Sequence, residues 1–284
     1  MSDTETASSI TVPSNLTQVG VTMKYTFLDY LRSRRFFILL TINLLISVLL
    51  TVLIGYYRPA SFLASDLKFY GGWWGNSVTF VIILSGIFFG GDAISGEFQN
   101  KTGYFAVPNP IKRSSMYLGK WLAAFLASTA ILVIFTAITV GNGIYYFGWN
   151  VPIQFGESVL FAWFYLAAVL GFTFFFSSLF KSSAMSIIVT AILFLFVFGL
   201  VETLVSGLVQ VEPWFILTYG AQIIGNILQV PYPLHSTTVS SIRPGGVTFT
   251  TFNVTVPEGL AIIALYFIIT AILGLVLFDR KEFT

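Results

Sequence analysis

The sequence contains no cysteine, which excludes disulfides and thiolate metal sites and leaves the redox compartment open. It contains one histidine, His235, with no acidic or thiol neighbour along the chain. That residue reads as an exposed loop position, and no metal site is expected. Charge is scarce as well. Only 9% of the 284 residues are charged, against about 25% in ordinary soluble domains. So few charges cannot cover the surface of a water-soluble fold of this length. The net charge of +2 is too small to point to nucleic acid. A glycine-rich phosphate loop is missing, because Gly119-Lys120 lacks both the earlier glycine and the following Ser or Thr. None of the serines sits in a nucleophile elbow. The chain by itself has no visible means of hydrolysing ATP or a substrate bond, so neither a catalytic residue nor a cofactor of its own is expected.

What is abundant is apolar: 56% of the residues are hydrophobic and 17% aromatic. A spanning helix needs about 20 mostly apolar residues, because the hydrocarbon core is about 30 Å thick and each helical residue rises about 1.5 Å. Six stretches qualify, at 36–56, 74–89, 121–146, 158–180, 183–206 and 258–278. The second has the least distinct start, blurred by Gly71, Gly72, Gly75 and Asn76. Residues 181–183 leave only a hinge between the fourth and fifth, which predicts an antiparallel helix pair. Orientation follows from the 14 basic residues. With the N-terminus inside, Lys24, Arg32, Arg34, Arg35, Lys101, Lys112, Arg113, Lys120, Lys181, Arg280 and Lys281 are cytoplasmic, while Arg58, Lys68 and Arg243 are outside. Trp73, Trp74, Trp149 and Trp214 then fall near the outer surface as an aromatic belt. The expected architecture is an all-α, multi-pass protein of the plasma membrane, with six transmembrane helices and both termini in the cytoplasm. Residues 1–20, rich in Ser, Thr and acidic side chains, read as a disordered cytoplasmic tail, and 21–284 as a single transmembrane domain.

Three segments outside the spans carry information. Residues 23–35 read as an amphipathic helix, with Thr22, Thr26, Asp29 and Ser33 on one face and Met23, Phe27, Tyr30 and Leu31 on another. Such a helix lies on the inner membrane surface, its arginines reaching lipid phosphates. The cytoplasmic loop 92–120 begins as a helix over 93–106 that brings Ile94, Phe98 and Phe105 to one side. Pro108 breaks it, and Asn109-Pro110 is a good helix start. The external segment 207–257 runs to roughly 50 residues, where loops beyond about 15 are uncommon unless functional. Its apolar part, 214–230, is too short to cross and reads as a re-entrant or surface-lying helix. Its second part, 237–256, is rich in Thr, Val and Phe and interrupted by Pro244-Gly245-Gly246, the pattern of a β-hairpin.

The run Asp92-Ala-Ile-Ser-Gly-Glu97, followed by Lys101-Thr102-Gly103, Pro108, Pro110-Ile111-Lys112-Arg113 and Gly119-Lys120, resembles the cytoplasmic loop of type-2 ABC transporter permeases. These are the membrane subunits of many bacterial and archaeal exporters. The interfacial helix, the Ser177, Ser178, Lys181, Ser182 hairpin, the re-entrant element and the closing Phe278-Asp279-Arg280-Lys281-Glu282-Phe283 agree with that resemblance. Two departures stand out: the Glu97 region lacks the common Glu-x-Gly-Thr spacing, and the external hairpin is unusual. The resemblance implies a permease that pairs with a second permease chain, as homo- or heterodimer, to enclose a translocation path. It also implies a separate ABC ATPase subunit, which holds ATP and Mg and docks on the 92–120 loop. Asp92, Glu97 and Lys101 are then charged contacts or anchors in coupling to that ATPase, with Phe98 and Phe105 filling grooves. The alternative for this segment is an interfacial helix resting on lipid.

Ionisable residues within spans are functional hypotheses. Glu202, near the outer end of the fifth helix, either lines the substrate path or simply reaches water. Asn43, inside the first helix, either serves the path or hydrogen-bonds a neighbouring helix. Glu157 and Glu258 begin helices and suit the positive dipole end. Phe172, Phe174, Phe175 and Phe176 either line a greasy path or pack, and Ala167, Ala168 and Gly171 suit close helix contact. Asn253-Val254-Thr255 is a glycosylation sequon in the external loop, whereas the Asn15 and Asn100 sequons fall on the cytoplasmic side. Two rival classes stay open: a membrane enzyme with an external active site, and a non-transporting membrane anchor or assembly protein. The enzyme needs clustered acid, base or metal groups, and the anchor predicts that no ATPase copurifies.

Overall fold

The computed structural model describes residues 14–100, 112–240 and 248–281. Lys101, Phe105, Pro108, Asn109 and Pro110 lie outside the described residues. Among the described residues, six helices are long and apolar enough to cross a membrane, which makes this a multi-pass membrane protein. The chain opens with α1 (Asn15–Arg32), breaks at Ser33, and enters the first span, α2 (Arg34–Tyr57). Short helices α3 (Ala60–Leu63) and α4 (Asp66–Tyr70) lead through a π-helical turn, Gly71–Gly75, into α5 (Asn76–Gly90) and then α6 (Ser95–Gln99). The third and fourth spans are α7 (Arg113–Phe147) and α8 (Ile153–Leu179). The fifth span, Ser183–Val209, combines α9 (Ser183–Ile192), α10 (Phe198–Leu204) and two π-helical turns. After it come α11 (Leu217–Gly220), α12 (Ile223–Asn226), strands β1 (Ser236–Ser240) and β2 (Thr248–Phe252), and the last span, α13 (Val256–Arg280).

The alternation of the spans gives the molecule two ends. One gathers α1, α6, the start of α7, the α8–α9 turn and the end of α13. The other gathers α3, α4, α11, α12 and the antiparallel β1–β2 hairpin, whose register pairs Ser236 with Phe252 and Ser240 with Thr248. The hairpin forms where Thr, Val and Phe, which favour extended backbone, are concentrated.

Several details depart from the sequence reading. Helix α1 starts at Asn15, capped by Ser14, so residues 15–20 are helix rather than tail. It also ends before the arginine pair. The Ser33 hydroxyl donates to the Tyr30 carbonyl at 2.7 Å and accepts from the Phe36 amide, stopping one helix and starting the next. Moreover, α1 is a packed part of the bundle. A Cβ on Gly119 would stand 2.7 Å from the Thr22 Cβ and 2.9 Å from the Val19 carbonyl, so only glycine lets α1 and α7 touch there. The Lys112 amide donates to Gln18 Oε1 at 2.9 Å.

The second span is longer than hydropathy indicates, beginning at Asp66. Its glycines accommodate the π turn and a close backbone approach, since a Cβ on Gly75 would lie 3.1 Å from the Cα of Gly225 in α12. The single apolar helix expected over 214–230 is instead two short helices, buried against this glycine contact and against α8 and α13. Trp73 and Trp74 are correspondingly core residues at 0% exposure, not part of a surface belt; Trp149 and Trp214 are exposed at 88% and 64%. The Trp74 indole donates to Ser158 Oγ at 2.9 Å, and the Ser158 hydroxyl donates on to the Ile224 carbonyl. One hydroxyl thus joins the second span, the fourth span and α12.

Candidate functional site

A cluster of polar contacts lies where the second span turns into α6. The chain leaves α5 through Gly90 and Gly91, and residues 92–99 then rest on four neighbouring helices. Asp92, only 12% exposed at its side chain, accepts from Arg35 Nη1 of α2 at 2.5 Å. Glu97 pairs with Lys120 of α7, with the two side chains 20% and 11% exposed. The same ammonium donates to the Ala93 carbonyl at 3.0 Å. Ser177 of α8 accepts the Ile94 and Ser95 amides at 2.9 and 3.0 Å, satisfying two donors that the start of α6 leaves without intrahelical partners. Gln99 accepts from the Ser183 amide, the first residue of α9, at 2.8 Å. Below this, the Tyr30 hydroxyl of α1 donates to the Phe89 carbonyl at 2.9 Å, and full burial, with Asp92 close by, raises its pKa.

The end of α13 closes the cluster. Phe98 packs edge-on against Phe278 with centroids 6.3 Å apart, and the Lys281 ammonium sits 4.4 Å from the Phe98 centroid. Lys281 also donates to the Ser178 and Phe180 carbonyls at 2.9 and 2.8 Å, capping the C-terminus of α8 where a cation suits the dipole. Burial, with Lys181 near, lowers its pKa to about 8. Arg113 Nη1 donates to the Asp279 and Lys281 carbonyls at 2.9 and 2.8 Å. Residues 92–99 therefore form a corner that touches α2, α7, α8 and α9, with α13 beside it.

Of the residues expected to act in coupling, Asp92, Glu97 and Phe98 come together here, while Lys101 and Phe105 lie outside the described residues. Asp92 and Glu97 each pair with a cation inside the chain, Arg35 and Lys120 respectively. Tyr30, Gln99 and Lys281 join this cluster without a local sequence signal for it, and Lys120 and Ser177 stand in sequence only as a basic motif residue and a hairpin serine. A lysine seven positions into a spanning helix is the signal that was present, since such a charge demands a buried counter-ion.

The path residues lie elsewhere. Asn43 is buried and donates to the Ile131 carbonyl of α7 at 3.3 Å, a bond between helices. Glu202 accepts from Gln222 Nε2 at 2.7 Å and Thr218 Oγ1 at 3.2 Å, which ties the fifth span to α11 and α12. Phe172 and Phe174 are buried. Gly171 meets α13, where an added Cβ would stand 2.9 Å from Thr270 Oγ1. The Asn253 amide nitrogen donates to the Leu234 carbonyl at 2.7 Å, and Thr255 is the N-cap of α13, so both polar side chains of the sequon are engaged in the fold. His235 is exposed, as its sequence context suggests, and folding brings the acidic residues Glu212 and Glu258 near it, with one ligand atom from each of the three within 4.8 Å of the others.

Six apolar spans, an N-terminal helix docked on the third span, and a corner after the second that is bonded to its neighbours define a polytopic membrane domain. The chain belongs to the ABC-2 family of transporter proteins, whose model matches residues 22–283. That match covers every span and begins within α1. The family is a membrane transport subunit, not itself catalytic, and its members work with an ABC ATPase. No curated relative matches the chain.

Proposed function

We propose that the chain is the permease subunit of an ATP-driven exporter in the plasma membrane, coupled to its ATPase through the 92–120 segment. In this reading both termini and the α6 corner face the cytoplasm, and ATP and Mg are held by the partner. The observation that carries it is the anchoring of residues 92–99 to four helices at once. A loop that merely rested on lipid would need no such set of bonds. A push on α6 is passed through Asp92 to α2, through Glu97 to α7, through Ser177 to α8 and through Gln99 to α9. Closure of the ATPases is thereby turned into tilting of the spans. Copurification tests this: the ATPase should remain bound to the full chain, and its activity should change when the permease is present. Failure to copurify, with activity indifferent to the permease, would return the chain to the anchor class.

The same reading has two permease chains enclosing the path. The spans α2 and Ser183–Val209 both contact the second-span assembly, and both expose long apolar faces, including Val48 at 60% and Phe196 at 68%. Because the sequence has no cysteine, each introduced one is unique. Val48→Cys or Phe196→Cys should cross-link into a covalent dimer in membranes, whereas Ile272→Cys on the outer face of α13 should not. Cross-linking only at Ile272 would assign the dimer to the other side.

A further inference from the structure

We propose that Glu212, His235 and Glu258 form a binding site for a divalent transition-metal ion of the zinc class at the hairpin end. One ligand atom from each lies within 4.8 Å of the others, although the three residues belong to separate segments: the stretch after the fifth span, the approach to β1, and the first turn of α13.

The tautomer of His235 carries the argument. Its Nδ1 lies 3.1 Å from the Asn253 carbonyl, which only accepts, so Nδ1 carries the proton. In the neutral imidazole Nε2 then presents a lone pair, and it faces Glu212 Oε2 at 3.5 Å. Two acceptors facing each other need either a proton or a metal ion between them. That spacing exceeds the usual 2.7–3.2 Å of a hydrogen bond. It is close to the edge of a tetrahedral site with metal–ligand bonds of about 2.0–2.2 Å, where two ligands stand roughly 3.3–3.6 Å apart.

The surroundings orient the donors as outer partners of metal ligands do. The buried Tyr219 hydroxyl donates to Glu212 Oε1 at 2.6 Å, leaving Oε2 toward the histidine. Glu258 Oε2 is held by the Thr255 amide and hydroxyl in a capping box. The backbone beside His235 is pinned by the Asn253 amide donating to its carbonyl at 2.8 Å, and by the Tyr232 hydroxyl donating to the Val254 carbonyl at 2.6 Å. One imidazole and two carboxylates suit zinc and its neighbours better than thiolate-seeking copper(I) or oxygen-only calcium. A bound ion would clasp the hairpin to the last span, with an open position for water or a ligand.

His235 is the sole histidine, which makes the test direct. The full chain in lipid nanodiscs is treated with an imidazole-reactive acylating reagent, with and without zinc, and modification of His235 is read by mass spectrometry. Zinc should protect His235 in a saturable way and magnesium should not. Calorimetric titration should show one equivalent of zinc bound, weakened about 10–100-fold by Tyr219→Phe and more by Glu212→Gln. Equal modification with and without zinc, or one-equivalent binding unchanged in Glu212→Gln, would overturn the site and leave a protonated histidine as the sole cation. The readout involves no ATPase, so it stands or falls apart from the transport reading.

Discussion

Lys120→Ala should uncouple the protein and destabilise it. Removing the ammonium takes the Lys120 counter-charge from a largely buried Glu97 carboxylate, and breaking such a pair from one side costs about 3–5 kcal/mol. The Ala93 carbonyl loses its donor as well. Glu97→Ala should cost a similar amount, because the buried Lys120 ammonium then loses its counter-charge and keeps only a neutral acceptor, the Ala93 carbonyl, of the two partners described above. The double variant Lys120→Met with Glu97→Gln should recover stability, since neither charge remains to be solvated, yet it should not recover coupling if the ion pair is what ties α6 to α7. A thermal unfolding series gives the first result, and permease-dependent ATPase activity the second. Full coupling in the double variant would remove the ion pair from the transmission path.

The second large effect is expected at Ser177. Its hydroxyl oxygen accepts two buried amides, so Ser177→Ala strands both donors at about 1–3 kcal/mol each. No charge is involved, so the loss should be insensitive to salt. Ser177→Thr keeps the hydroxyl, but its added methyl must fit a fully buried position beside the α6 start. Hydrogen exchange at the Ile94 and Ser95 amides reads the effect locally. Protection of both should fall in Ser177→Ala while amides in the middle of α7 stay protected; unchanged protection would show that other acceptors hold the corner.

The spans were legible because lipid imposes a length and a composition that appear directly in the chain: the first, fourth, fifth and last begin close to their expected starts, the third begins earlier, at Arg113, and the second, whose start is the least distinct, begins at Asp66. That last case is instructive. Gly71, Gly72 and Gly75 look like a loop to any hydropathy count, yet they permit the π turn and the contact with Gly225, a partner far along the chain. Trp73 and Trp74 were assigned to the surface for the same reason: a tryptophan near the end of an apolar run suits an interface, and nothing local announces that α12 and Phe155 will cover it. Within the candidate site, Asp92 and Glu97 are visible as charges beside a span, but nothing local pairs them with Arg35, which sequence marks for orientation, or with Lys120, which it marks for orientation and as part of the Gly119-Lys120 motif. Pairing across the bundle is a tertiary fact. Glu212, His235 and Glu258 make the same point more sharply, since each is far from the others in sequence and they meet only when the hairpin folds over the start of α13.

The central claim is that the motor engages the corner after the second span. Asn100, exposed just past α6, is the place to measure it. A single cysteine there, in the full chain with its ATPase bound, should form a cross-link to the ATPase subunit through a short thiol-to-amine reagent, and the yield should change between nucleotide-free and ATP-bound states. A cysteine at Trp149, at the opposite end, should give none. Cross-linking of the ATPase from position 149 and not from position 100 would contradict the account.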